Sequence, residues 1–469
     1  MQSIRTLDLS WRNVRSEFVS RISQLPNLER LFITSPINDI SAFADLTRLT
    51  RLHQFSLFNS LDDTGFLSFE LASYAGQLRH LTRLNCTLES LDPDLVPTPD
   101  YCSPNVLTNI TRLQHLICSP ISNKILVCAA ECPNLQALAC YDGDNPNEDD
   151  AIQVPPYAKL TQLKLINMYR RLNLNEISAI TNLMSLELHE ADSINDWSSF
   201  SLMTKLNDLV VSIRRIDIRP RFFSYLAVLQ QSLTSLGINA VGSQQELEIV
   251  LSLTKLQSLS LPYYRSNAIT PFTSLSKLKH FTMITAWNVT ASDLELFTHL
   301  ESCHVGANNL ASQDVRWVSK MTNLNCLNLI CATVEDKWIA PLTKLTKLNA
   351  YVLNATKMEE QRLINTICKS LTRLEVLHLE DFIHLGASTI DPLTNLSRLR
   401  MLSICTNRLK NPNHLMSLSS LVSLVYFKFR NLEDDQPPPA LDQVLKKLRK
   451  RASFAIRYQV EPGSDVRVY

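Results

Sequence analysis

Between Leu399 and Leu409 the chain reads Leu-x-x-Leu-x-Ile-x-x-Asn-x-Leu. A phrase of this kind cannot fold alone. Leu402 and Ile404 are two apart, so in an extended strand they share a face. Leu399 and Leu409 flank that strand and can turn into the same core. Asn407 stands where the chain has to bend, with an amide able to satisfy backbone groups that no sheet partner reaches. The apolar face is covered only if copies lie above and below it.

The copies run from end to end. They begin with Ile4/Leu7/Leu9, Leu28/Leu31/Ile33, Leu52/Phe55/Leu57, Leu81/Leu84/Cys86, Leu113/Leu116/Cys118 and Leu135/Leu138/Cys140. Leu160/Leu163/Leu165, Leu183/Leu186/Leu188, Leu206/Leu209/Val211, Leu233/Leu236/Ile238 and Leu256/Leu259/Leu261 occupy the middle. Leu278/Phe281/Met283, Leu300/Cys303/Val305, Leu324/Leu327/Leu329, Leu345/Leu348/Ala350 and Leu374/Leu377/Leu379 follow. Leu399/Leu402/Ile404 and Leu421/Leu424/Tyr426 complete the series. This makes about 18 copies at a period of about 24 residues, the spacing of a stacked repeat array.

With those residues in view the chain resembles the leucine-rich repeat family over almost its whole length. The phrases LTRL, LTKL, MTKL, MTNL and LTNL recur before the strands, and bends such as Ile37-Asn-Asp-Ile40 and Ile194-Asn-Asp-Trp197 recur after them. Together they look like the short repeats of the internalin-like or phosphatase-regulator-like subclass. Asn308 and Asn407 keep the bend asparagine, whereas Arg12, Ala191 and Ala332 replace it. The resemblance implies an α/β solenoid, a curved horseshoe with a parallel sheet on its concave face and a convex side of mixed extended, 3₁₀ and α segments. Repeats of 21–24 residues leave room only for an extended or 3₁₀ return, and longer ones hold a helix. Helices are expected before Leu84, Leu236 and Leu377; Phe222, Leu226 and Leu229 have the spacing of one helix face.

Two insertions interrupt the period. Residues 88–106 carry Pro93, Pro97, Pro99 and Pro104 and read as a surface loop. The acidic stretch 142–156 superficially suggests calcium, but Pro146 and a misplaced Gly143 do not fit an EF-hand, and a solvated loop is expected. The repeats are expected to span 1–432, with 433–469 forming a Pro-rich linker and a cap. There Leu441, Leu445 and Leu448 share a helix face, and Phe454/Ile456/Tyr458/Val460 alternate like a final strand. The basic run Lys446–Arg451 has a second reading as a localisation or anion-binding patch.

The net charge of +1 offers no electrostatic case for nucleic acid or a membrane surface. No apolar run approaches the roughly 18 residues of a membrane span, and no apolar leader opens the sequence. The 11 cysteines fall mostly at apolar repeat positions, so they are expected to be reduced core thiols of a protein in the cytoplasm or the nucleus. With 8 glycines there is no phosphate-cradling loop. Cys128/Cys132 and Cys326/Cys331 lack histidine companions and read as packing residues, so no metal or cofactor is expected. His378 and Glu380 lie on one strand face, as neighbouring polar residues of such an array must, and do not by themselves make an acid–base pair.

A non-enzymatic, monomeric scaffold that binds a protein partner on the sheet face is therefore expected. The residues between core leucines point away from the core, and in the later repeats they bring amide, imidazole and aromatic groups together: His304, Asn328, Asn349, Tyr351, His378 and Glu380. Two alternatives follow from the resemblance. One is the substrate-recognition part of an F-box-like ubiquitin ligase receptor, whose adaptor helices would precede Ile4. The other is a repeat-type GTPase-activating protein, whose repeats would be longer and regularly helical.

Overall fold

The computed structural model describes residues 4–9, 16–33, 40–57, 78, 80–87, 107, 109–119, 123–141, 151–166, 171–194, 196–215, 217–264, 270–283, 285–286, 294–306, 315–331, 336–352, 356–380, 382, 386–406, 411–431, 439–451, 455–459 and 466–468. The chain divides into two compact units, Met1–Gly237 and Ile238–Tyr469.

Among the described residues of the first unit, strands follow one another in sequence and in space: β1 (Thr6–Leu9), β2 (Arg30–Ile33), β3 (Gln54–Leu57), β4 (Arg83–Thr87), β5 (His115–Ser119), β6 (Ala137–Tyr141), β7 (Gln162–Ile166), β8 (Ser185–Leu188) and β9 (Asp208–Val211). Each pairs in parallel with the next. The register is set by the repeat. Leu31, Phe55, Leu84, Leu116, Leu138, Leu163, Leu186 and Leu209 fall in a single row, all at most 2% exposed. Slipping one strand by a residue would turn its apolar set to water, so the pattern admits one register. β10 (Ser235–Ile238) lies beside β9, and a Cβ on Gly237 would sit 3.1 Å from a methyl of Val210.

The second unit continues the scheme. β11 (Ala240–Val241), β13 (Tyr263–Tyr264) and β15 (Thr285–Ala286) form a small parallel sheet. The main ladder runs β12 (Ser258–Ser260), β14 (His280–Met283), β16 (Ser302–Gly306), β17 (Cys326–Cys331), β18 (Lys347–Val352), β19 (Val376–Glu380), β20 (Met401–Thr406), β21 (Tyr426–Asn431) and β22 (Ala455–Gln459), all parallel. β23 (Val466–Val468) turns back antiparallel to β22. Each unit is a leucine-rich-repeat solenoid of the α/β class, with an open parallel sheet on one side and short helical returns on the other.

One copy is out of register with the sequence reading. Leu402 pairs with Phe427 and Ile404 with Phe429, so the final phrase is Leu424/Phe427/Phe429, not Leu421/Leu424/Tyr426. Both phenylalanines are fully buried, while Tyr426 is half-buried on the outward side. Aromatic rings fill the core positions that leucines hold in most other repeats.

Repeat length decides the return segment. The longer repeat before β10 carries the helix Arg219–Leu226 followed by a 3₁₀ turn, Ala227–Gln231; Phe222, Leu226 and Leu229 are buried as their spacing requires. The repeat before β19 carries the helix Lys357–Ser370, opened by a capping box in which the Thr356 hydroxyl accepts from the Glu359 amide. Short repeats return through 3₁₀ segments such as Ser198–Leu202, Val315–Lys320 and Asp391–Asn395. The helix expected before Leu84, the loop 88–106, residues 142–150 of the acidic insertion, and the bend residues Arg12, Asn308, Ala332 and Asn407 lie outside the described residues.

The recurring LT+L phrase has a structural cause. In the first unit Asn134 Nδ2 donates to the Thr111 carbonyl while its Oδ1 accepts from Lys159 Nζ at 2.8 Å. Asn182 repeats this with the Ala158 carbonyl and Lys205. In the second unit Asn323 does so with the Thr298 carbonyl and Lys344. At these three places the polar position before the strand links neighbouring repeats along an exposed edge.

Cys118, Cys128, Cys132, Cys140, Cys303, Cys368 and Cys405 are buried free thiols, and Cys326 is a half-buried one. Cys118 and Cys140 face each other across β5 and β6 with sulfurs 3.4 Å apart. Burial pushes the Cys303 and Cys368 thiols up to about 12, so neither is a nucleophile at neutral pH.

Candidate functional site

The register of the second unit lines up the side chains that point away from the core. Thr282, His304, Asn328, Asn349, His378, Ser403 and Lys428 occupy consecutive positions of one column. Four of the six residues expected at a binding face therefore stand in one row on neighbouring strands. Tyr351 and Glu380 pair with each other one column over, across β18 and β19. Glu380 is exposed; the Tyr351 side chain lies outside the described set.

Within the column, Asn328 Nδ2 and His304 Nε2 are 3.0 Å apart, which makes that imidazole nitrogen the acceptor. The next amide, Asn349, has its Oδ1 buried with no hydrogen-bond partner. A buried acceptor without a donor costs about 1–3 kcal/mol. The column thus holds one internal hydrogen bond and one buried acceptor that nothing in it satisfies.

Both histidines resist protonation. Burial lowers the pKa of His304 below the usual 6.5. Burial, followed by the positive charges of Lys347 and Lys428, lowers that of His378. The unfolded chain takes up a proton near 6.5 and the folded chain only at lower pH, so the stability these rings contribute is complete above 6.5 and is lost as pH falls below it. We expect the His378 ring proton to titrate by NMR with a midpoint below 6.5. Lys428→Met should raise that midpoint part of the way, because burial is the larger cause. A wild-type midpoint above 6.5 would show that the ring faces a carboxylate in solution.

The sheet face of the first unit holds a tighter ionic group that the sequence reading left out of its binding set. Glu187 Oε1 accepts from Lys164 Nζ at 2.7 Å and lies 2.5 Å from His189 Nε2. Burial raises the Glu187 pKa, but the bonds from His189 and Lys164 outweigh it and hold the carboxyl below its ordinary value. The signal was legible: Glu187 on β8 and His189 just past its end are two apart, and Lys164 on β7 is in register with Glu187.

Among the described residues there is no group of three or more His, Cys, Asp or Glu side chains that could hold a metal ion. Nor is any described helix long and apolar enough to cross a membrane.

No family model and no curated protein matches the sequence. Among solved structures the chain is similar to a leucine-rich-repeat protein of Leptospira interrogans at 15% identity, covering 97% of this chain and 96% of that one with a TM-score of 0.37. It is similar to an internalin of Listeria monocytogenes at 17% identity, covering 96% and 95% with a TM-score of 0.26. A third similarity is to TLR13 in its complex with ssRNA13, at 16% identity over 94% of this chain and 75% of that one, TM-score 0.44.

Proposed function

We propose that this leucine-rich-repeat chain is a non-enzymatic scaffold that binds a protein partner on the sheet face of its second unit. His304, Asn328, Asn349 and His378 form the contact column, flanked by Tyr351 and Glu380. The observation that carries the reading is the orphaned Asn349 Oδ1, a buried acceptor beside the hydrogen-bonded Asn328–His304 pair. Turned outward against a partner, that amide would accept from a backbone N–H, and neutral imidazoles beside it can accept or donate without bringing charge into the interface. A near-neutral chain favours protein over nucleic acid as the partner. The buried free thiols suit a reducing compartment, the cytoplasm or nucleus.

The test is affinity purification of the tagged full chain from its native cells with quantitative mass spectrometry. The parallel sample carries Asn349→Ala and His378→Ala, and a control carries Lys164→Ala in the first unit. A specific partner should drop at least ten-fold with the column variant and persist with the control. If the recovered proteins are the same for all three chains, the second-unit column is not the binding surface.

A further inference from the structure

A second feature of the sheet surface lies in the first unit and involves none of the residues of the second-unit column. Strands β2 to β5 surround an open recess of about 300 Å³. Its floor exists because a small side chain, Ser56, stands in register between Phe32 and Asn85, with Ile117 next in the row. Ser56 is 2% exposed beneath its larger neighbours. The adjacent row supplies Gln54, Arg83 and His115 on three consecutive strands, all lining the recess.

The chemistry of that row is one-sided. Every polar group in it can donate a hydrogen bond, and no residue lining the recess is acidic. Among the described residues Arg83 makes no ion pair. Burial, and after it the Arg83 charge, lowers the pKa of His115. Elsewhere on the same face a lysine has its carboxylate, as Lys164 has Glu187.

We infer that this recess is a binding site for a carboxylate side chain on an acidic peptide ligand. A glutamate meets each feature. Its carboxylate takes the two-pronged guanidinium of Arg83, a charge-assisted pairing. The Gln54 amide and His115 ring lie on either side to complete its hydrogen bonds. Its methylene groups fit between Phe32 and Ile117, over Ser56. The site is independent of the second-unit column, so its failure leaves that reading standing.

The probe is fluorescein-labelled hexaglutamate, with hexaglutamine as the matched uncharged peptide, followed by fluorescence anisotropy on the full chain at low salt. Hexaglutamate should bind saturably and at least ten-fold more tightly than hexaglutamine. Arg83→Gln should weaken it ten-fold or more. Ser56→Leu, which fills the recess and leaves the charge unchanged, should do the same. Arg221→Gln, an exposed cation on a helix of the same unit, should leave binding unchanged. Circular dichroism melts establish that each variant is folded, and Arg83→Lys, with its charge retained, provides a gentler substitution if Arg83→Gln is not. Equal binding of the two peptides overturns the proposal. So does a folded Ser56→Leu chain that binds like wild type, since attraction would then be to surface charge and not to the recess. Displacement of the peptide by inorganic phosphate at concentrations well below those needed for acetate would also overturn it, by assigning the site to phosphate.

Discussion

Leu327→Ala should lower stability by about 2–5 kcal/mol, the cost of deleting a fully buried leucine whose surroundings relax only in part. Leu327 is 0% exposed and lies in register between Cys303 and Leu348, which are themselves at most 1% exposed. The cavity would be lined from both neighbouring repeats. Asn328, one residue on, points to the other face of the same strand. Asn328→Ala should cost far less stability, roughly 0.5–1.5 kcal/mol for the lost hydrogen bond to His304, yet it should impair partner binding. In a repeat array each unit is held by its neighbours, so the damage from Leu327→Ala should be local. Hydrogen exchange should quicken first in β16, β17 and β18 while β5 to β7 keep their protection. Uniform loss of protection along the chain, with no gradient away from the mutated repeat, would falsify nearest-neighbour stabilisation.

The strands were legible because each one obeys two constraints at once. A core leucine pair two apart demands an extended chain, and a third leucine three residues earlier ties the turn to the same core. Where both hold, as in Leu324/Leu327/Leu329, the strand position follows from the spacing. The last copy shows how the reading fails. Leu421, Leu424 and Tyr426 satisfy the spacing, but Leu424, Phe427 and Phe429 satisfy it too, and only the register against Leu402 and Ile404 separates them. Periodicity names candidates for a row, and the neighbouring strand selects among them.

The candidate site was legible to a smaller degree. That His304, Asn328, Asn349 and His378 share a column follows from repeat arithmetic alone. That Asn328 bonds His304 while Asn349 keeps an unpaired oxygen does not, because it depends on side-chain rotamers across three strands. The Glu187 network and the Arg83 recess depend likewise on which long side chains reach each other and on the smallness of Ser56. The repeat pattern places the columns but is silent about depth. The asparagine–lysine links between repeats were present in the recurring TNL and TKL phrases, yet the phrase carries their chemistry only once the repeat-to-repeat offset brings one copy's lysine to the preceding copy's amide.

The second large effect concerns residues 439–469, which we propose cover the apolar layer of the preceding repeat. The helix Pro439–Arg451 buries Leu441, Leu445 and Leu448, each at most 2% exposed, against the 3₁₀ segment Pro412–Ser420, whose Leu415 and Leu418 are fully buried. β22 extends the sheet beside β21. Each leucine contributes roughly 1.5–3 kcal/mol by leaving water. Deleting 439–469 uncovers both partners of that contact and strips β21 of its hydrogen-bonded neighbour, leaving an unpaired edge that invites aggregation. The deletion should melt well below the full chain by circular dichroism, with the repeats around β20 and β21 losing exchange protection. The basic run tests the opposing explanation. Lys446 is exposed and reaches Asp442 at 2.7 Å, an i,i+4 surface pair of the kind that contributes roughly 0–1 kcal/mol. Replacing Lys446, Lys447, Arg449, Lys450 and Arg451 with Gln should therefore leave the melt near wild type. If instead the deletion melts like the full chain, burial of the leucines is not what holds this end of the second unit. If the Gln variant alone loses stability, the charges, and not the apolar face, are what the repeat array depends on there.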